Sequence, residues 1–296
     1  MHGFDPRFRD FPDYIIGITK EIWEDRGIAT LHKYYSPDIV VRSPASVVVG
    51  NQKVIGATMA TLAEFPDRTL LGEDVIWSGT PEAGMLSSHR LLSTATHLGD
   101  GAYGAATGKK LTYRILADCH AIANQIDDEW LIRDQGAIVR QMGWDPAQFA
   151  RDQIAREGGS DACVKPLTPA SDVPGPYTGR GNDNEWGQRH ADILTRIMAA
   201  EFSVIPQAYD RAAQLEYPGS ITGHSHRDAD RFWLSLRAAF PDAAFAIHHQ
   251  IGRDDPMMPP RSAIRWSLHG THSGWGAFGA PTGATVYVLG ISHAEF

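Results

Sequence analysis

Residues 96–108 read THLGDGAYGAATG, and residues 271–283 read THSGWGAFGAPTG. The two stretches match at most positions without a gap. Phe65-Pro66-Asp67 and Phe240-Pro241-Asp242 keep the same spacing, and so do Arg90 and Arg265. Chance hardly supplies several matches in one order. The sequence therefore predicts a tandem duplication, which must be recognised before any fold is assigned.

The repeats set the expected domain boundaries. A chain of 296 residues is long enough for two ordinary domains. We expect a first repeat at residues 1–155, a linker rich in Pro and Gly at 156–184, and a second repeat at 185–296. The first repeat continues about 25 residues beyond His120, whereas the second ends soon after the matching His293. The second repeat is therefore expected to lack its last strand and to expose a sheet edge.

Each repeat reads as helices followed by a run of antiparallel strands, which is typical of an α+β fold. In the first repeat the pattern predicts a helix at Asn51–Glu64 and strands at 111–122 and 129–139. In the second it predicts helices at 185–203 and 227–240. Strands are expected there at 244–251, 263–271 and 285–295.

Composition excludes several classes of protein. The net charge of −8 argues against a nucleic-acid surface. No apolar run is long enough to cross a bilayer, and the first residues do not resemble a signal peptide, so we expect no membrane contact and a cytoplasmic location.

Cys119 and Cys163 form no C-x-x-C pair and are expected to be unpaired thiols. The histidines are concentrated in the second repeat but show no metal-ligand spacing, so no metal is predicted.

Three features together resemble one known family. They are the Phe-Pro-Asp after the second helix, the Gly-rich hairpin, and a closing segment that runs from Glu129-Trp130 through Asp134 to Arg140-Gln141-Met142-Gly143. They are similar to the SnoaL-like polyketide cyclases of the nuclear-transport-factor-2-like superfamily. The resemblance implies two tandem cone-shaped units, each a curved mixed or antiparallel sheet wrapped on N-terminal helices around an apolar pocket.

The resemblance also implies an activity. Ester cyclases of this family close a polyketide ring by an intramolecular aldol reaction without a cofactor, using a buried Asp and a pocket His. His120 matches that His. Alignment on the Arg-Gln-x-Gly ending places Leu131 where the Asp stands, and Asp134 matches a second Asp. Glu129 lies two residues before Leu131 and should share its strand face.

The chemistry requires a base whose pKa is close to the working pH and a donor near the enolate oxygen. Asp134 or Glu129 could be the base, with His120 or Arg90 as donor. Trp77 and Trp130 could line the pocket. The structural alternatives are a helix cap or a surface carboxylate next to Arg133 and Arg140 for Asp134, core packing for His120 and the tryptophans, and a salt bridge for Arg90.

The expected function is a cofactor-free polyketide cyclase-type enzyme that acts on a small apolar or polyketide-like substrate. A dehydratase, isomerase or hydrolase could use the same pocket. A module that binds a small molecule without catalysis is the alternative from another class. The two repeats are expected to pack as an internal pseudo-dimer, and the open sheet edge adds the option of a homodimer.

Overall fold

The computed structural model describes all residues, 1–296, as two compact units, Met1–Thr178 (unit 1) and Gly179–Phe296 (unit 2). Segment 156–178, which the sequence assigns to a linker, packs with unit 1. Leu167 in this segment is buried, and its N–H donates to the carbonyl of Pro44. None of the helices is long and apolar enough to cross a membrane.

Unit 1 consists of a mixed six-stranded sheet and five α-helices. The helices are α1 (Phe11–Trp23), α2 (Leu31–Tyr34), α3 (Asn51–Glu64), α4 (Gln135–Gln141) and α5 (Pro146–Arg156). The strands are β1 (Tyr35–Ser43), β2 (Ser46–Val49), β3 (Thr69–Thr80), β4 (Gly84–Thr96), β5 (Lys110–Ile122) and β6 (Gln125–Arg133).

The strand order in unit 1 is β2-β1-β6-β5-β4-β3. Neighbouring strands are antiparallel except β1 and β6, which run parallel. The last strand therefore joins the first hairpin to the long antiparallel strands. This pairing produces the expected α+β unit, whose sheet packs on the N-terminal helix.

Helix α1 begins where the sequence supplies a cap and an apolar stripe. The Asp10 carboxylate accepts the N–H of Asp13 and so satisfies a donor of the first turn. The apolar face of the helix is buried through Phe11, Tyr14 and Ile18. This face packs against Cys119 and other β4 and β5 residues in one core cluster.

Unit 2 repeats the element order of unit 1 as far as β5. Its helices are α6 (Glu185–Met198), α7 (Ile205–Ala208) and α8 (His226–Ala239). Its strands are β7 (Leu215–Tyr217), β8 (Ile221–Gly223), β9 (Ala244–Arg253), β10 (Arg261–Thr271) and β11 (Thr285–Glu295). The sheet order is β11-β10-β9, and β7 and β8 form a separate hairpin.

Two boundaries expected from the sequence are wrong. The strand expected at 129–139 ends at Arg133, and helix α4 begins at Gln135. Asp134 caps that helix, and the apolar residues Ala137, Ile138 and Val139 are buried on it. The apolar run at 137–139 is so short that its hydrophobic pattern fits a strand as well as one or two turns of helix. Likewise, the helix expected at 185–203 ends at Met198.

Candidate active site of unit 1

The sheet of unit 1 has an inner face, which packs against α1, and an outer face. Paired residues share a face, and successive residues along a strand alternate between faces. Trp77, Ser87, Cys119 and Glu129 stand opposite one another across β3, β4, β5 and β6. Cys119 packs in the α1 cluster, so this whole row belongs to the inner face.

Glu129 is the titratable group of this row whose pKa lies near neutrality. Only 8% of its surface is exposed. Burial raises its pKa to about 7, although a hydrogen bond with Tyr35 and the charge of Arg133 oppose the rise. A carboxylic acid with this pKa is divided between its acid and base forms near neutral pH, as proton transfer requires.

The environment of Glu129 keeps its neighbours neutral. Burial raises the pKa of Tyr35 well above its usual range, and the charge of Glu129 adds to the rise. The same two causes, in the same order, raise the pKa of the Cys119 thiol. Of the three groups, Glu129 is therefore the one whose pKa lies near neutral pH, and the neutral Tyr35 hydroxyl hydrogen-bonds it.

His89 lies on the inner face and was missed by the sequence reasoning. Its Nδ1 is 3.2 Å from the Ser87 hydroxyl, and both residues are buried. Burial lowers the pKa of His89 to about 4, so the ring is neutral at physiological pH. His89 lies opposite Ala117, which in turn lies opposite Leu131. The only signal in the sequence was the alternation of Ser87, His89 and Leu91 along a strand.

Leu131 and Glu129 share the inner face, as the sequence predicted from their spacing. Leu131 packs against the core clusters on that side. The position where the family resemblance leads one to look for an Asp is therefore apolar, and the buried carboxylate stands one row away.

His120 faces the opposite side of the sheet. It pairs with Asp128 and Leu86 rather than with the Glu129 row. Its Nδ1 is 2.6 Å from Asp127, and its ring centroid is 4.9 Å from that of Tyr177. The structure thus does not bring His120 and Glu129 together.

Asp134 is the N-cap of α4. Its carboxylate accepts the N–H of Ala137 at 3.0 Å. This is the geometry of the cap alternative that the sequence left open. A catalytic role for Asp134 stays a prediction.

The three proposed substrate-binding residues also separate by face. Arg90 lies on the outer face, where it and Arg114 both donate to Glu73. Trp130 is also on the outer face, with the Arg42 guanidinium 4.7 Å from its ring centroid. Trp77 alone lies on the inner face, packed edge-on against Phe11.

A strap formed by residues 172–177 covers the outer face beside β1 and β6. The buried Arg42 forms an ion pair with the buried Asp128, and its Nε is 2.5 Å from Asp172. The second carboxylate oxygen of Asp128 accepts the N–H of Tyr177 at 3.0 Å. The strap is therefore hydrogen-bonded to the middle of β6, at Asp128 beside Glu129.

An open surface depression of about 470 Å³ lies on the outward side of α1 and is lined by Arg7, Asp13, Glu21 and other residues. It does not include Glu129 or His89. No group of three or more His, Cys, Asp or Glu side chains is placed to hold a metal ion.

Comparison with known proteins gives matches among solved structures. No protein-family model matches the chain, and no curated protein does. IdmH from Streptomyces antibioticus, described as "a putative polyketide cyclase", is 22% identical; the match covers 45% of this chain and 97% of that chain, with a TM-score of 0.39. AclR from Streptomyces galilaeus, described as "a putative hydroxylase", is 18% identical. The match covers 45% of this chain and 98% of that chain, with a TM-score of 0.39. A SnoaL-like polyketide cyclase from Agrobacterium tumefaciens is 15% identical. The match covers 45% of this chain and 97% of that chain, with a TM-score of 0.35.

Proposed function

We propose that unit 1 is a cofactor-free acid/base enzyme that closes a ring in a polyketide-like carbonyl compound by an intramolecular aldol reaction. The observation that carries the proposal is Glu129, a buried carboxylic acid on the inner face whose pKa is about 7. Perturbed carboxylates of this kind are concentrated at catalytic sites.

The proposed reaction begins when the Glu129 carboxylate takes a proton from the carbon next to a carbonyl. The electron pair of that C–H bond forms an enolate, and the Tyr35 hydroxyl is placed to donate to the enolate oxygen. The enolate carbon then forms a bond to a second carbonyl carbon of the same molecule. The resulting alkoxide takes the proton back from Glu129, so the substrate is isomerised and the enzyme is regenerated.

The neutral His89 supplies a second polar contact on the same face. Ser87, which is hydrogen-bonded to His89, lies two strands from Glu129, or roughly 10 Å at about 5 Å between neighbouring strands. Trp77 and Leu131 supply apolar surface in the same two rows.

The proposal is tested by proton exchange at carbon. A β-keto ester is incubated with the protein in D₂O, and loss of the signal of the proton next to the carbonyl is followed by NMR. Glu129→Gln should slow exchange by about 100-fold or more, because a general base is removed. Glu73→Gln on the outer face is the matched control and should exchange at the wild-type rate. Equal rates in wild type and Glu129→Gln would contradict the proposal.

A binding module without catalysis is the second candidate, and the apolar Leu131 at the expected Asp position favours it. Binding of the keto ester with no exchange above the buffer rate would support this candidate. A dehydratase or an isomerase would share the enolisation step and would be recognised by its product. The cytoplasmic location, the internal pseudo-dimer and the homodimer stay predictions.

A further inference from the structure

A second polar group lies on the inner face of unit 1, further along β6 than Glu129. Arg68, from the turn before β3, is only 3% exposed. Its Nε donates to the Ser93 hydroxyl at 3.3 Å, and its guanidinium carbon is 4.4 Å from the Trp23 ring centroid. It also hydrogen-bonds the Tyr113 side chain. Ser93 and Tyr113 are paired across β4 and β5, so the guanidinium lies over the sheet.

Arg133 brings a second positive charge to the same region. It ends β6 opposite Ile115, a core residue of the inner face. It hydrogen-bonds the Tyr103 side chain, and its charge acts on Arg68. Burial, with a smaller contribution from the nearby Arg133 charge, lowers the pKa of Arg68 to about 10. The Arg68 guanidinium therefore remains protonated at neutral pH.

The hydrogen-bonding capacity of the two arginines is not fully used. Arg68 Nη1 and Arg133 Nε are buried and have no hydrogen-bond partner. Three other arginines of unit 1 differ, since the buried Arg42 pairs with Asp128, and the half-buried Arg90 and Arg114 pair with Glu73. Arg68 is held by neutral hydroxyls and a ring instead. A buried cation without a counter-charge is costly, and an unused donor beside it calls for an absent acceptor.

We propose that Arg68 and Arg133 form a subsite for an anionic oxygen group, the carboxylate of the substrate on which Glu129 acts. A planar guanidinium with free N–H donors suits a carboxylate or a phosphate. This proposal rests on the proposed function for the identity of the ligand. Free inorganic anions share the chemistry and are separated from it by the experiment below.

The strand fixes the spacing between the two subsites. Glu129, Leu131 and Arg133 follow one another on the inner face of β6. Four residues of strand span roughly 13 Å, with apolar Leu131 between the two polar ends. The substrate class is therefore a carbonyl compound that carries a carboxylate roughly 13 Å from the carbon that loses its proton, with an apolar body in between.

The experiment compares a β-keto ester that carries a terminal carboxylate at this distance with the methyl ester of the same carboxylate. The rise in melting temperature at increasing ligand concentration gives the two affinities and requires no turnover. Wild-type protein should bind the carboxylate about tenfold more tightly than its methyl ester, because a charge-assisted hydrogen bond is lost in the ester. Arg68→Met should bind the two compounds equally. Arg90→Met, on the outer face, should keep the wild-type preference.

Several results would overturn the assignment. One is an equal affinity of wild type for acid and ester, and another is a preference that survives in Arg68→Met. A melting temperature that rises with inorganic phosphate through Arg68, without any preference for the keto acid over its ester, would show an adventitious ion only. If Arg68→Met fails to fold, Arg133→Met takes its place with the same expected loss of preference. Absence of proton exchange in a protein that keeps the Arg68-dependent preference would overturn the role of Glu129 but not the anion subsite.

Discussion

His120 and Glu129 lie on opposite faces of the unit 1 sheet, although adjacent strands carry them. Cys119 stands opposite Glu129, so the next residue, His120, points to the other side. His120 contacts Asp127 and Tyr177 there, whereas Glu129 hydrogen-bonds Tyr35 on the inner face. The two side chains therefore cannot act on one substrate carbon, and their substitutions should have separable effects.

Replacing His120 should change stability rather than proton exchange. His120→Asn removes the hydrogen bond to Asp127 and the ring contact with Tyr177, which should lower the free energy of unfolding by about 1–2 kcal/mol. The exchange rate of a keto ester at saturating concentration should stay within about twofold of wild type, since no proton passes through His120. Urea unfolding and NMR exchange give the two values. A large loss of exchange in a stably folded His120→Asn would return His120 to the catalytic site.

Glu129 should make unit 1 less stable as the pH rises. Its pKa is raised from 4.5 to about 7, so the folded state binds the proton more tightly than the unfolded state. The resulting stabilisation is complete below pH 4.5 and is lost as the pH rises through 7. Between pH 4 and 8 the loss amounts to about 3 kcal/mol. Glu129→Gln should not show it, so the variant should gain stability relative to wild type at pH 8. A constant difference between the two proteins over this range would contradict the raised pKa.

Much of this fold could be predicted from the sequence because its signals are local. The spacing of apolar residues gave α3 at its observed bounds, Asn51–Glu64, and β11 at Thr285–Glu295. The matched hairpins at 96–108 and 271–283 gave the duplication, and the element order of the two units agrees with it. The helix and strand bounds depend on residues close together in the sequence, and the duplication depends only on a comparison of the two repeats.

The candidate site could be predicted only in part, because strand pairing decides which side chains meet. Glu129 and Leu131 were correctly placed on one face by their spacing of two. The sequence could not show that Glu129 pairs with Cys119 rather than with His120, which places His120 on the other face. Nor could it show that Arg68 reaches Ser93 from a turn 25 residues away along the chain. A change of one residue in register moves a side chain to the other face, and that register is set by long-range pairing.

The two buried histidines His89 and His190 should weaken the protein in acid. Burial lowers the pKa of each to about 4. The unfolded chain takes up a proton near pH 6.5, whereas the folded protein does not until about pH 4. Stability is therefore complete above pH 6.5 and is lost as the pH falls toward 4, by about 3 kcal/mol for each group.

His89→Asn should remove this acid-induced loss from unit 1 and His190→Asn should remove it from unit 2. Urea unfolding at pH 7.5 and pH 4.5 measures the loss. The paired comparison is informative because each ring bonds a serine, Ser87 or Ser262, and each lies in a different unit. An acid dependence that both variants retain would show that other groups cause it.

The strap over the outer face should depend on Gly175. A Cβ atom at this position would lie 2.0 Å from Asp128 Oδ2. Gly175→Ala must therefore displace the strap or the buried Arg42–Asp128 pair, at a cost of about 1–3 kcal/mol. Trypsin should cut at Lys165 faster in the variant, because the segment that follows is released. Gly56→Ala is the control, since a Cβ there meets nothing within 4 Å, and it should leave cleavage unchanged.

Glu64 should be the carboxylate on which the first hairpin depends. It accepts from His97 Nε2 at 3.2 Å and from the N–H groups of Ala102 and Tyr103 at 3.1 and 2.8 Å. Glu64→Ala leaves these three donors, two of them buried, without their acceptor and should lower the free energy of unfolding of unit 1 by about 2–4 kcal/mol. Glu64→Gln, which retains an acceptor oxygen, should cost less. Urea unfolding of both variants checks the order.

Unit 2 shows how the same hairpin is held without that carboxylate. Ala239 takes the place of Glu64, and the loop closes on helix α8, where the N–H of Ala277 donates to the Ser235 carbonyl. A Cβ on Gly276 would lie 2.0 Å from that oxygen. Gly276→Ala should therefore destabilise unit 2 by about 1–3 kcal/mol. Ala239→Gly removes a buried methyl group and the helix propensity of one residue, and should cost about 1–2 kcal/mol. If Gly276→Ala proved as stable as wild type, the close approach of loop and helix would not be what holds the second hairpin.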